Sequence, residues 1–203
     1  MKRIGIFSGS FDPVHEGHVR FALQVLKSAK LDEIYFLPET NPRRKTNVTD
    51  IFYRSAMIEL ASSEYSGLNN LELPDQQFSV EKSLPKLKQL FPGDELFLIV
   101  GSDVIEFMPK WPRVEQLLKR VGLIIAIRGD TSLKMVKSLT NTLPLKPKEL
   151  HIIKSPMPLV ASRQIRVAVA KEQLPVGLMP NVQEYIAKNQ IYSSTSSSFG
   201  SRS

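Results

Sequence analysis

Short runs of consecutive apolar residues alternate along this chain with segments whose apolar positions recur every three or four residues. The runs are Ile4-Gly5-Ile6-Phe7, Ile34-Tyr35-Phe36-Leu37, Leu96-Phe97-Leu98-Ile99-Val100, Leu123-Ile124-Ile125-Ala126-Ile127 and Leu150 to Ile153. Each has the length of a buried strand, and Pro38 stops the second. Between them, Val19, Ala22, Leu23 and Leu26 predict a first helix. Thr49 is the expected cap of a second, running through Met57 and Leu60. Ser79 is a candidate cap for a third with Val80, Leu84, Leu87 and Leu90 on one face, although Pro85 favours a start near Ser83. Further helices are expected over Val114 to Lys119, from about Ser162 and from Pro180. Strands that are apolar at every position and separated by helices imply a parallel sheet covered on both faces. The expected fold class is therefore α/β, a doubly wound, Rossmann-like parallel sheet with right-handed crossovers.

Composition changes this picture at the edges. The 203 residues are 42% hydrophobic and 23% charged, which is ordinary for one globular domain and excludes a wholly disordered chain. With no cysteine, disulfides, thiolate metal sites and cysteine nucleophiles are excluded. No apolar run approaches membrane-spanning length, and Met1 to Phe7 lacks the long apolar core of a secretion signal, so a cytoplasmic location and no membrane partner are expected. Residues 193–203 hold seven serines and read as a flexible tail beyond a domain spanning 1–192. Twenty-seven Lys and Arg against 20 Asp and Glu leave a net charge of +7, which favours anionic partners without choosing among them. No nucleic-acid motif with interleaved aromatics is present, so a nucleic-acid partner is not expected. A homo-oligomer is compatible with all of these features.

The chemistry concentrates in Gly9-Ser10-Phe11-Asp12-Pro13-Val14-His15-Glu16-Gly17-His18, between the first strand and the first helix. In a doubly wound sheet, ligands bind at the carboxyl ends of strands, where helix N-termini favour phosphate. Gly9 lets the chain turn beneath a ligand, and Gly17 lets a phosphate approach the start of the helix. His15 and His18 supply hydrogen-bond donors that can also be cationic beside an anion. Two of the chain's three histidines stand here, three residues apart. Surface histidines flanking a turn are the bland alternative. A metal site is the weaker one, because no third ligand is evident nearby. The third histidine, His151, lies in an expected strand and reads as structural.

This segment resembles the GxFxPxHxGH signature of the nucleotidyltransferase superfamily of α/β adenylyltransferases. Over most of residues 3–192 the chain most resembles nicotinate mononucleotide adenylyltransferases. Asn41-Pro42-Arg43-Arg44-Lys45 stands where that family reads PPHK, Arg54 and Met57 match its next helix, and Phe97 to Asp103 resembles FIxGxD. Ile127-Arg128-Gly129 resembles VxRPG, and Leu178 to Tyr192 resembles the family's last helix. There are departures. Arg44 replaces a histidine. Val160-Ala161-Ser162-Arg163-Gln164-Ile165-Arg166 keeps Ser162, Ile165 and Arg166 of ISSTxIR, but Ala161 lacks the hydroxyl and Arg163 is foreign. Phe78 to Leu84 echoes SYTxDTL only loosely.

The resemblance implies adenylyl transfer from ATP, with Mg²⁺, to nicotinate mononucleotide. It implies that His15, His18, Lys45 and Arg166 are catalytic contacts to the phosphates, and that Gly9, Ser10, Phe11, Gly17, Gly101, Asp103, Arg128, Ser162 and Ile165 bind ATP. Trp111 and Ser79 are the implied mononucleotide contacts. No protein-held metal is implied. Each residue also has a plainer role open to it: Lys45 a solvated loop lysine, Arg166 and Arg128 surface arginines, Ser162 and Asp103 helix caps, Trp111 a packing residue. The competing functions are transfer to another phosphorylated acceptor, such as phosphopantetheine or nicotinamide mononucleotide, or a non-catalytic nucleotide-binding regulator, for which Ala161 and Arg163 are the only support.

Overall fold

A computed structural model describes residues 1–43, 45–127, 131–157 and 159–193. Among them one parallel sheet forms from β1 (Arg3–Gly9), β2 (Glu33–Pro38), β3 (Leu68–Asn70), β4 (Glu95–Gly101), β5 (Gly122–Ile127) and β6 (Leu150–Lys154). The strand order is β3-β2-β1-β4-β5-β6. The helices are α1 (Glu16–Ser28), α2 (Ile51–Ser62), α3 (Ser83–Leu90), α4 (Ser102–Ile105), α5 (Val114–Arg120), α6 (Leu133–Thr140), α7 (Ser162–Ala170) and α8 (Pro180–Lys188), with a 3-10 turn at Met108–Lys110.

Successive strand residues point to opposite faces, so a strand apolar throughout feeds two cores. In β4, Phe97 and Ile99 join Val19 and Phe21 of α1, Met57 and Ile58 of α2 and Val182 of α8. Leu96, Leu98 and Val100 of the same strand join Leu84 and Leu87 of α3, Leu117 of α5 and Val136 of α6. The expected helices at 83, 114, 162 and 180 begin at those residues. The second is capped by Asp50, not Thr49, through a 2.8 Å bond from Phe52 N to Asp50 Oδ1. Leu90, expected on the buried face of α3, is 52% exposed, since it ends the helix beyond the sheet. β3 and α4 are too short to carry a readable pattern, and α6, although Leu133, Val136 and Leu139 recur at helical spacing, is not among the expected elements. The Ser-rich segment lies outside the described residues from 194 onward, as do Arg44 and Arg128.

The two halves of the sheet part between β1 and β4, the switch point where doubly wound folds bind ligands beyond the strands' carboxyl ends. The opposite end of the sheet is tied by charge. Arg3 pairs with Glu95 at 2.9 Å and Glu149 at 2.8 Å, Lys148 with Glu95 at 2.7 Å, and His151 Nε2 meets Glu149 at 2.6 Å. His151 is thus part of a structural network. The Arg3 hydrogen bond chiefly holds the Glu149 carboxyl below its ordinary 4.5, and Lys148 chiefly does so for Glu95. Carboxylates with lowered folded values stabilise the fold above their unfolded pKa and lose that contribution as pH falls through the folded value. These groups are partly solvated, so Arg3→Met should cost about 1 kcal/mol at pH 7. Thermal melts should show the wild-type advantage shrinking below about pH 4.5; an advantage that grows on acidification would contradict this reading.

Candidate active site

β1 ends at Gly9, where a Cβ would stand 3.0 Å from the Phe11 ring. The chain turns through Phe11, whose φ of 47° is rare for a residue with a side chain, and through a cis Asp12–Pro13 peptide. Phe11 is 2% exposed and packs edge-on against Phe7 and Phe36, forming a floor beneath the turn. His15 then caps α1, and His18, in its first turn, reaches back so that its Nδ1 accepts the His15 N–H at 3.3 Å. With Nδ1 accepting, a neutral His18 carries its proton on Nε2. The two imidazoles stack with centroids 3.7 Å apart, and the His18 ring stands edge-on to Phe11 at 5.0 Å. At Gly17 a Cβ would lie 3.0 Å from the His15 ring, so glycine leaves that ring its place. Gly177, at φ +80°, turns its carbonyl onto the Glu16 N–H at 2.9 Å and docks the loop before α8 on the start of α1.

α7 approaches from the other side. Ser162 Oγ donates to the Pro13 carbonyl at 2.9 Å, and Arg166 Nη1 donates to the Asp12 carbonyl at 2.6 Å. The Asp12 carboxylate, 3% exposed, is the hub of this region. It accepts the Tyr192 hydroxyl at 2.6 Å and the Thr49 N–H at 3.4 Å, and it lies 3.7 Å from Arg166. Burial, reinforced by Asp12, pushes the Tyr192 hydroxyl far up, so it remains a donor. Arg54 is fully buried, and its guanidinium donates to the Thr49, Ser10 and Thr40 carbonyls at 2.6, 2.7 and 3.3 Å. Burial lowers its pKa and Asp12 opposes that. The guanidinium, always charged in proteins, therefore clasps the 40–50 loop to the turn after β1.

Two cavities open above this framework. One, of about 450 Å³, is lined by His15, Lys45, Arg163 and Arg166, with Asp12 and Ser162 below. Its donors are imidazole, ammonium and guanidinium, the chemistry that binds phosphate. The other, of about 200 Å³, is lined by Trp111, Phe78, Phe107 and Val104 with Glu39, Asp103, Arg43 and Lys45. It suits a flat ring bearing polar substituents. Lys45 borders both, its Nζ donating to Ser10 Oγ at 2.5 Å. A small neighbouring cleft, which shares His15 and Val160 with the cationic cavity, is lined by Gly17, His18, Ser155 and Met157.

A family model described as cytidylyltransferase-like matches residues 6–198. The nicotinate-nucleotide adenylyltransferase of Bacillus subtilis is 34% identical over 201 residues, covering 96% of this chain and 100% of that protein. This chain belongs to the cytidylyltransferase-like family, among the nicotinate-nucleotide adenylyltransferases. The probable nicotinate-nucleotide adenylyltransferase of Oceanobacillus iheyensis is 30% identical over 197 residues, covering 95% of this chain and 97% of that one. In fold, the nicotinic acid mononucleotide adenylyltransferase of Plasmodium falciparum complexed with NaAD superposes with a TM-score of 0.75 at 22% identity, over 95% of this chain and 98% of that chain.

On this adenylyltransferase framework the residues singled out in the sequence fall into distinct places. His15, Lys45, Ser162 and Arg166 line the cationic cavity, while His18 and Gly17 line the small cleft that shares His15 with it. Gly9 and Ser10 line the aromatic pocket, as does Asp103, which the sequence put on the ATP side. Gly101 touches neither cavity; a Cβ there would run into the Asp103 carboxylate. Ile165 is 1% exposed, and its side chain packs in the core. Phe11 likewise acts from beneath. Ser162 is not the N-cap of α7, a position held by Ala161 with no side-chain bond. Arg163 is exposed on the cavity wall and does not fill it. Ser79 faces its own turn, its Oγ accepting from Lys82 N at 3.1 Å, while its neighbour Phe78 lines the pocket. Sequence reasoning gave no role to Asp12, Glu39, Arg43, Phe78 or Tyr192. Asp12, Arg43, Phe78 and Tyr192 stand inside segments that resemble the family, whereas Glu39 carried no signal.

Proposed function

We propose that this protein moves AMP from ATP to nicotinate mononucleotide, giving deamido-NAD and pyrophosphate in NAD biosynthesis. The observation that carries the reading is the meeting, at Lys45, of a cationic cavity with an aromatic pocket. A triphosphate fits the first and a pyridine ring fits the second, so the mononucleotide's phosphate comes to lie where the two join.

A phosphate oxygen of the mononucleotide attacks the α-phosphorus of ATP. The bond from that phosphorus to the β-phosphate's bridging oxygen breaks, and its electron pair leaves with pyrophosphate. The attacking phosphate is already ionised, so no protein base is needed. The chain's contribution is alignment and stabilisation of charge on the transferring and leaving groups. His18 Nε2–H supplies a preorganised donor, and Lys45 and Arg166 supply mobile and anchored cations. The site offers anion-binding donors, and among the described residues no group of three or more His, Cys, Asp or Glu stands together for a metal ion. Mg²⁺ therefore fits as a part of the MgATP substrate, where it neutralises phosphate charge. Both substrates are cytoplasmic metabolites, and we place the protein there.

Trp111→Ala should raise KM for the mononucleotide about 10- to 30-fold, the worth of a pyridinium stacked on indole, with KM for ATP near wild type. A panel of nicotinate mononucleotide, nicotinamide mononucleotide and 4′-phosphopantetheine, scored by ATP-dependent pyrophosphate release, tests the acceptor. The reading expects nicotinate mononucleotide to give the highest kcat/KM. Faster turnover of phosphopantetheine would overturn it.

A further inference from the structure

We infer that Arg43 determines specificity for the acid form of the pyridine nucleotide over the amide. This rests on the acceptor proposed above and deepens it.

The guanidinium of Arg43 lies 4.9 Å from the centroid of the Trp111 ring. It is held there by two hydrogen bonds, from Nη2 to the Phe78 carbonyl and from Nε to Gln77 Oε1, both at 3.2 Å. Arg43 thus bridges the 39–50 loop to the wall opposite and sets a cation at the aromatic end of the pocket. The other cation lining this pocket, Lys45, also borders the cationic cavity, where the phosphates belong. Among the described residues, the remaining charges lining the pocket are two carboxylates. Glu39 Oε1 accepts from Ser8 Oγ at 2.9 Å and from the Phe78 N–H at 3.2 Å, which fixes it in place. Asp103 is the second.

The pyridine ring of either mononucleotide is a cation, which suits the part of the indole that the Arg43 guanidinium leaves uncovered. The two acceptors differ in one group: nicotinate carries a carboxylate and nicotinamide a neutral carboxamide. A carboxylate entering beside Glu39 and Asp103 is repelled unless a cation meets it. Arg43 is the group placed to do so, and its planar fork matches a carboxylate in two-pronged fashion. The amide gains no such pair. Arg43 therefore raises affinity for the acid and does nothing for the amide.

Trp111 is the chain's single tryptophan, so intrinsic fluorescence reports occupancy of this pocket without turnover. Nicotinate mononucleotide and nicotinamide mononucleotide are titrated into wild type, Arg43→Gln and Arg43→Lys, with pyrophosphate release measured in parallel. Arg43 is exposed, so the variants should fold. Arg43→Gln should weaken binding of the acid about 10- to 100-fold, the range for losing a charge-assisted pair, and change the amide by less than about 3-fold. Arg43→Lys, which keeps the charge and loses the fork, should fall between. An acid-to-amide ratio unchanged in Arg43→Gln overturns the inference, and so does an equal loss for both ligands, which would mark Arg43 as a prop for its loop. Selective binding of the acid without pyrophosphate release would support the role of Arg43 while refuting the proposed reaction.

Discussion

Replacing His18 by alanine is expected to lower kcat by roughly 10²–10³, with a much smaller change in KM for ATP. His18 is 6% exposed and held on several sides at once. Its Nδ1 takes the His15 N–H, its face stacks on the His15 ring, and its edge meets Phe11. A ring fixed in this way has its orientation set before substrate arrives, so its Nε2–H needs no reorganisation when charge develops on the transferring group. That is why its loss should fall on the transition state more than on binding. Turnover is measured by pyrophosphate release, with circular dichroism to show that the variant folds. Near-wild-type turnover in a folded His18→Ala protein would contradict the role.

The largest stability effect is expected at Asp12. Asp12→Ala removes the carboxylate that accepts the Tyr192 hydroxyl and the Thr49 N–H and that offsets the fully buried Arg54 guanidinium. Leaving those two donors without their buried acceptor, and removing the first of several charges that offset Arg54, costs about 2–4 kcal/mol. For a chain of this size that is a fall in Tm of roughly 10 °C. Activity should fall as well, because Arg166 loses its 3.7 Å contact with the carboxylate and keeps only its bond to the main-chain carbonyl of residue 12. Tyr192→Phe removes a single bond to the same carboxylate and should cost about 1.5–3 kcal/mol, with a smaller loss of turnover. Thermal melts of the two variants decide the point. An Asp12→Ala protein that melts within a degree or two of wild type would show that the hub carries no weight.

Much of this architecture was legible locally. The runs at β1, β4 and β5 are continuous because both faces of the sheet are covered, and each run then split between two cores. His15 and His18 could be paired from spacing alone, since residues three apart share a helix face. β3 escaped notice because a three-residue edge strand with only Leu68 buried leaves no pattern. Ile165 shows the limit of a motif: its position matches the family, yet its side chain packs in the core. The aromatic pocket was the least readable part. Its walls come from the loop after β2, from Phe78 and from Trp111, and only the sheet order brings them together. The bond from Tyr192 to Asp12 spans 180 positions, and nothing local marks it.

The most direct test of adenylyl transfer is a ³¹P NMR record of the full chain with ATP, Mg²⁺ and nicotinate mononucleotide. ATP and mononucleotide phosphorus should disappear together, replaced in equal amounts by free pyrophosphate and the diphosphate linkage of a dinucleotide. Appearance of ADP or inorganic phosphate in place of pyrophosphate, or no change in any resonance, would contradict it.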